Sequence, residues 1–300
     1  MPIFYKYLSY IDEKTFSNPT VRLSVPMHLN DPFESSICNT ICEDIKFNYD
    51  QENKANIGRR IFNIIIRSQV NQYGIVSLSE TSRNLLMWAH YADEHRGICI
   101  GYKDDFLDSM EKPIDTNHGG HFKPTRVMYD TIRYYKESDN KKGLPEPSEL
   151  CFKILTNKSD DWIYEKEHRC IVPLFWADYI KYSGKLPRHI ARAIDIYSNE
   201  ININIENKNE YYFDNLDNDE LISITDEFSL DKKSIFIKKI DPSKIERIYF
   251  GCRYPKDKLI EHVNELSKPD HCLNHVKLYK YELDPIRFEL NEIPLKQISN

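Results

Sequence analysis

Three hundred residues, 40% hydrophobic, 29% charged and 12% aromatic, give a globular balance long enough to bury a core without staples. A formal net charge of -6 exerts no global pull toward nucleic acid, although a local basic patch stays open. None of the 9 glycines falls into G-x-G-x-x-G or G-x-x-x-x-G-K-[ST], which excludes a Rossmann phosphate turn and a P-loop.

The N-terminal Met-Pro-Ile-Phe-Tyr-Lys-Tyr lacks the basic and apolar regions of a signal peptide. The best apolar run, Ile61 to Ile66, is interrupted by Asn63 and followed by Arg67, too short to span a bilayer. Seven cysteines form no C-x-x-C, with only Cys38 and Cys42 close together, so they read as reduced thiols. The expectation is a cytoplasmic protein without a membrane partner.

In chain order, Ile3 to Leu8 alternates as a first strand, and a short helix is expected over Asp12 to Phe16. Val21 to Val25 reads as a second strand closed by Pro26, followed by a turn-rich loop from Met27 to Glu34. Apolar residues at helical spacing predict a helix from about Ala55 to Val70. Gly74 to Ser79 is a strand. A helix opening at Ser82 or Arg83 is expected to pack Leu85, Leu86, Ala89 and Ala92 inward and to exit left-handed at Gly97. Gly97 to Tyr102 is the next strand, and Arg126 to Tyr129 a short one, before a polar loop over Lys136 to Pro147. A helix follows at Glu149 to Asn157, and Cys170 to Leu174 is a buried strand.

From 177 to 218 the pattern weakens into a Tyr-, Asn-, Ile- and Lys-rich tract, read as an insertion or flexible subdomain. Ser234 to Ile240 and Ile245 to Phe250 are strands around the Asp241-Pro242-Ser243-Lys244 turn. A helix at Lys256 to Leu266 and a strand at Val276 to Tyr281 form a C-terminal extension over 256–300. Strands and helices do not alternate strictly, so the fold class is α+β, in one elaborated domain over 1–300.

Three clusters could carry chemistry. Asn30-Asp31-Pro32-Phe33-Glu34 is either a structural turn or a rigid loop aiming carboxylates into a cleft. Trp88, His90, Tyr91 and His95 lie on one short stretch and suit either core packing or a ring-shaped ligand. If Trp162 to Arg169 is extended, Glu165, Glu167 and Arg169 share one face, as a salt-bridge ladder or a catalytic carboxylate site.

Together, N-D-P-F-E, I-V-S-L-S-E with L-M-W-A-H-Y-A-D-E-H-R-G-I-C-I-G-Y, W-I-Y-E-K-E-H-R and the later I-E-R-I-Y-F-G resemble a widespread bacterial family, domain of unknown function 2971, over roughly residues 1 to 255. More distantly, the order of strands and the late E-x-E resemble the ADP-ribosyltransferase fold. That resemblance implies a split, mostly antiparallel sheet that holds NAD as substrate between its strands. It implies Glu167, then Glu165, as the catalytic carboxylate, with Trp88, His90 and Tyr91 lining the nicotinamide or acceptor pocket and His90 assisting. Lys6, Tyr7 or Arg22 would take the place of the family's first-strand reader, with Asn30, Asp31 and Arg169 as further NAD contacts. The sequence departs from that family in having no His or Arg on the first strand and no Ser-Thr-Ser stretch.

Two other readings compete. One is a metal-dependent nuclease built on Asp31, Glu34, His90, Glu165 and Glu167, although Glu165-Lys166-Glu167 does not give the (D/E)-x-K spacing of a common nuclease core and no H-E-x-x-H occurs. The other is a non-catalytic module binding a nucleotide or protein, such as a sensor in a toxin or phage-defence system. Under the NAD reading the acceptor is a protein or nucleic acid.

Overall fold

The computed structural model describes residues 1–9, 14–34, 38, 43, 67–112, 120–134, 147–197, 201–203, 209–213 and 216–295. The bulk of the helix expected over 55–70 and of the polar loop over 136–147 lies outside these residues; a helical stretch at 67–71 is described.

Fifteen strands are described in chain order. The first five are β1 (Ile3–Leu8), β2 (Thr20–Leu23), β3 (Tyr73–Ser79), β4 (Ile98–Lys103) and β5 (His121–Arg126). Next come β6 (Met128–Tyr129), β7 (Asn157–Lys158), β8 (Glu167–Pro173), β9 (Tyr179–Tyr182) and β10 (Ile201–Ile203). The last are β11 (Glu210–Phe213), β12 (Ser234–Lys239), β13 (Ile245–Phe250), β14 (Lys277–Leu283) and β15 (Leu290–Pro294). An eight-stranded sheet runs β15-β14-β13-β4-β1-β3-β8-β5, and a five-stranded sheet runs β10-β11-β9-β12-β2. Pairing is antiparallel except for β13 with β14 and β6 with β7. The chain is an α+β protein with a large, mostly antiparallel sheet.

Side-chain alternation sorts the large sheet's two faces. On one face Val76, Leu78, Ile98, Ile100, Cys170, Val172 and Ile248 join the main core, which also takes Leu23, Ile180 and Phe236 from the five-stranded sheet. The intervening positions form two separate clusters on the opposite face. Tyr7, Cys99, Tyr249 and Tyr281 gather around Trp88 at one end. Tyr73, Ile75 and Ile171 meet Cys151 and Leu155 of the Pro147–Thr156 helix at the other. Between these two apolar clusters the same alternating positions turn polar, to Ser77 and Ser79 on β3 and to Arg169 and Glu167 on β8, directly paired across the strands.

The sheet is also split at this point. β1 pairs with β4 over its whole length but with β3 only at Tyr5 and Ser79. The polar strip therefore borders a gap.

Several expectations change. Within the 177–218 tract, where it is described, Ile180, Tyr182, Ile190 and Tyr211 are buried in the main core, and β9 lies inside the five-stranded sheet. Its polar residues masked the periodicity, because only every second residue packs inward. The strands flanking Pro242–Lys244 do not pair with each other; this turn carries the chain from one sheet to the other. Gly97 is not left-handed. Asp93, Glu94 and His95 make that excursion instead, and Gly97 is required because a Cβ there would lie 2.1 Å from the Leu8 carbonyl oxygen.

Candidate functional site

Three short segments frame the gap. After the 3-10 turn Pro26–His28, Asp31 closes an Asx-type turn by accepting the Phe33 N–H at 2.9 Å, while its carbonyl accepts the Glu34 N–H at 3.1 Å. This turn sets Asn30 and Glu34 beside the polar strip. The helix Leu85–Tyr91 begins at Asn84, whose side chain accepts from the Leu86 and Met87 N–H groups. Its last residue, Tyr91, reaches the site. The 3-10 segment Asp160–Glu165 is capped by Ser159 and ends where Lys166 turns left-handed at φ 47. That turn corrects the extended reading of this segment. Glu165 stands at the end of the 3-10 segment and Glu167 starts β8, yet both carboxylates reach Lys158. Asn84 also donates to the Tyr164 carbonyl, and Ser79 Oγ donates to the Glu165 carbonyl at 2.7 Å, so these segments brace each other.

At the centre is a buried ionic network. Lys158 Nζ lies 2.6 Å from Glu165 Oε2 and 3.2 Å from Glu167 Oε2. Arg169 donates from Nε to Glu167 Oε1 at 2.8 Å, from Nη2 to Glu167 Oε2 at 3.0 Å, and from Nη1 to the Leu155 carbonyl at 2.7 Å. Its Nη2 also pairs with Glu34. Tyr91 donates its hydroxyl to Glu165 Oε1 at 2.5 Å and accepts from Asn30 Nδ2 at 2.8 Å. The Tyr129 hydroxyl accepts the Glu167 N–H at 2.7 Å.

Burial raises the carboxyl of Glu167, but Arg169, Lys158 and their hydrogen bonds outweigh it and hold the pKa near about 2. Burial likewise opposes the charge of Lys158, yet Glu167, Glu34 and Glu165 keep its pKa above the ordinary value. For Glu34 burial wins and its pKa is raised, against the pull of Arg169 and Lys158. Burial and the donated bond to Glu165 push the Tyr91 phenol up, so it stays protonated as a donor.

The gap opens into a cleft of about 180 Å³. Its apolar and aromatic walls are Tyr5, Tyr7, Leu29, Met87 and Tyr91, and its polar floor includes Ser77, Ser79, Lys158, Glu165 and Glu167. Lys6 shares the parity of Phe4 and Leu8 but turns into the gap, donating to the Ser77 carbonyl at 3.1 Å where a strand ladder would otherwise run. Burial and the charge of Arg22 lower its pKa to about 8, against the attraction of Glu167. Near pH 8 roughly half of Lys6 is then neutral amine, on the order of a hundredfold more than an ordinary lysine. An NMR titration that follows the Lys6 side-chain amine is expected to place its midpoint at about 8. A midpoint in the ordinary lysine range contradicts this.

Of the residues singled out from sequence, Lys6, Tyr7, Asn30, Glu34, Tyr91, Glu165, Glu167 and Arg169 line the cleft. Five do not, among them His95, which stacks on the Trp88 ring at 6.4 Å. Trp88 is fully buried, with its indole N–H donated to the Ser82 carbonyl at 2.8 Å, because Trp88 and Ala92 form the helix's inward face. Leu85 and Leu86, expected to pack inward, are exposed in the helix's first turn. His90 points to solvent near Tyr164, and Arg22 is exposed on β2, acting on Lys6 only through its charge. Asp31 is buried and faces a neighbouring cavity. Sequence reading missed Lys158, Asn84 and Tyr129. Lys158 sits seven and nine residues before its partners, on a two-residue strand, and its surroundings carry no motif.

Among the described residues no group of three His, Cys, Asp or Glu is placed to hold a metal ion. The carboxylates at the cleft are each engaged by Lys158 or Arg169. No helix among the described residues is long and apolar enough to cross a membrane.

No curated protein and no solved structure matches the chain. Residues 87–170 match the family described as protein of unknown function, DUF2971. The matched span contains the Trp88-Ala89-His90-Tyr91 helix and the Trp162 to Arg169 segment, but neither the Asn30 to Glu34 turn nor β13. The family resemblance read from the sequence is thus borne out over the segment that supplies Tyr91, Lys158, Glu165, Glu167 and Arg169 to the cleft.

Proposed function

We propose that the cleft takes the nicotinamide-ribose end of NAD and breaks its N-glycosidic bond, transferring ADP-ribose to water or to a protein or nucleic-acid acceptor. The observation that carries this reading is the split between β1 and β3 with a carboxylate pair beneath it. A cleft of about 180 Å³ is smaller than the ~300 Å³ lower range of sites that enclose a whole small molecule, so it suits one ring of a larger ligand. In the reaction the C1′–N bond breaks and its electron pair leaves with nicotinamide. The acceptor oxygen or nitrogen bonds C1′ and gives up its proton. The ribose passes through an oxocarbenium-like state, which a fixed carboxylate stabilises more than it stabilises the ground state.

Glu165 takes that role here in preference to Glu167. Each Glu165 oxygen holds one partner, and the Tyr91 hydroxyl can exchange for a ribose hydroxyl. Glu167 is clamped through both oxygens by Arg169 and Lys158, so it serves as the anchor of the network. Consumption of NAD suits an effector of a toxin or phage-defence system.

The test follows nicotinamide release from NAD, with and without cell extract as acceptor. Glu165→Gln is expected to lower the rate about a hundredfold, with NAD affinity little changed. No release by the wild-type chain under either condition removes the reading. The engagement of both glutamates by cations favours a second one, binding without turnover; saturable NAD binding with no nicotinamide release supports it.

A further inference from the structure

A second cavity, of about 500 Å³, adjoins the cleft and shares Glu34 and Lys158 with it as a common wall. Its lining does not suit phosphate. Among the described residues that line it, Asp31, Asp130, Asp160 and Asp161 outnumber the cation Arg133, because Glu34 and Lys158 are engaged in the ion pairs of the cleft. Arg133 itself lies over the Phe33 ring at 5.4 Å and donates to the Phe33 carbonyl at 2.9 Å. Asp130, Asp160 and Asp161 are exposed at the rim, whereas Asp31 is fully buried.

Asp31 provides the second, independent observation. Its Oδ1 accepts the Phe33 N–H, but its Oδ2 is buried with no hydrogen-bond partner. A buried carboxylate oxygen without a donor carries an unrepaid desolvation penalty. It leaves one strong acceptor for a donor brought by a ligand. Ile132, Ile154 and Phe33 supply apolar surface alongside.

We propose that this cavity binds an organic cation, a primary ammonium or guanidinium on an aliphatic stem, with its N–H groups on Asp31 and its stem along Ile132, Ile154 and Phe33. The acidic rim raises the local concentration of such a ligand, and the buried Asp31 oxygen fixes it. This site is separate from NAD chemistry and stands whether or not the cleft turns NAD over.

The test is calorimetric titration of the full chain with agmatine and with spermidine, at physiological and at high salt. Saturable binding of at least one of them is expected, weakened about tenfold or more by Asp31→Asn, which keeps the Phe33 cap but removes the charge. Should Asp31→Asn fail to fold, the Asp160→Asn/Asp161→Asn double variant, altered only at the exposed rim, is expected to weaken binding several-fold and to reduce its salt dependence. Absence of saturable binding for both cations overturns the assignment. So does equal affinity in wild type and the folded variants, or stronger binding of inorganic phosphate than of either cation.

Discussion

Arg169→Met is expected to lower the free energy of unfolding by about 3–5 kcal/mol, the range for breaking a buried ion pair by removing one partner. Arg169 is 1% exposed and grips Glu167 with two donors, Glu34 with a third contact and the Leu155 carbonyl with a fourth. Methionine fills similar space but leaves two buried carboxylates with Lys158 as the remaining cation that acts on both, Lys6 acting on Glu167. If charge left uncompensated is the cause, adding Glu167→Gln and Glu34→Gln to Arg169→Met recovers most of the loss. Urea unfolding of the single and triple variants decides it: a single variant within about 1 kcal/mol of wild type contradicts the account.

The same network sets the acid limb of stability. The carboxyl of Glu167 sits at about 2 in the folded chain, below its value in the unfolded chain. Its stabilisation is therefore complete above the ordinary carboxylate range and is lost as pH falls through that range toward about 2. Glu34 works in the opposite sense, because burial raises its pKa and favours the protonated folded form as pH falls. The net acid limb is thus shallower than Glu167 alone implies. In Arg169→Met the stabilisation from Glu167 is expected to fade at higher pH, since the clamp that depresses its pKa is gone.

What could be read from the sequence follows the reach of local signals. Strands with alternating or continuous apolar residues were legible almost to the residue: Ile3–Leu8 and Ile245–Phe250 stand as expected, and so does the amphipathic helix Lys256–Leu266. The convergence of the Asn30 turn, the Tyr91 helix and the Glu165–Glu167 segment was suggested by residue chemistry, and the cleft brings all three together. Illegible were the features set by long-range pairing. The split between β1 and β3 depends on register between strands some seventy residues apart, which local periodicity does not encode. Lys158 was invisible for a related reason. Its role depends on a 3-10 turn and a left-handed Lys166 that fold two glutamates back onto it. The aromatic helix misled because Trp88 and Tyr91, three residues apart, look like one face, whereas the helix presents Trp88 to the core and Tyr91, with Met87, to the cleft.

That division of one helix gives the second large effect. Trp88→Ala is expected to cost about 3–5 kcal/mol in unfolding free energy, as for large aromatic truncations in a packed core. Trp88 has no exposed surface and packs edge-on against Tyr7 at 5.3 Å and Tyr281 at 5.6 Å. Gly251 passes so close that a Cβ there would lie 3.1 Å from the indole, so the pocket is shaped to the ring. Trp88→Phe fills much of that space but leaves the buried Ser82 carbonyl without the indole N–H, costing about 1–3 kcal/mol. Tyr91→Phe is the counterpart. It removes the hydroxyl that donates to the buried Glu165 carboxylate and accepts from Asn30, and is expected to cost about 1–3 kcal/mol, less than Trp88→Ala. Ligand binding should show the reverse order: Trp88→Phe, once folded, keeps wild-type affinity for whatever occupies the cleft, while Tyr91→Phe alters it. A stability loss in Tyr91→Phe as large as that in Trp88→Ala, or an affinity change confined to Trp88→Phe, overturns the partition of this helix.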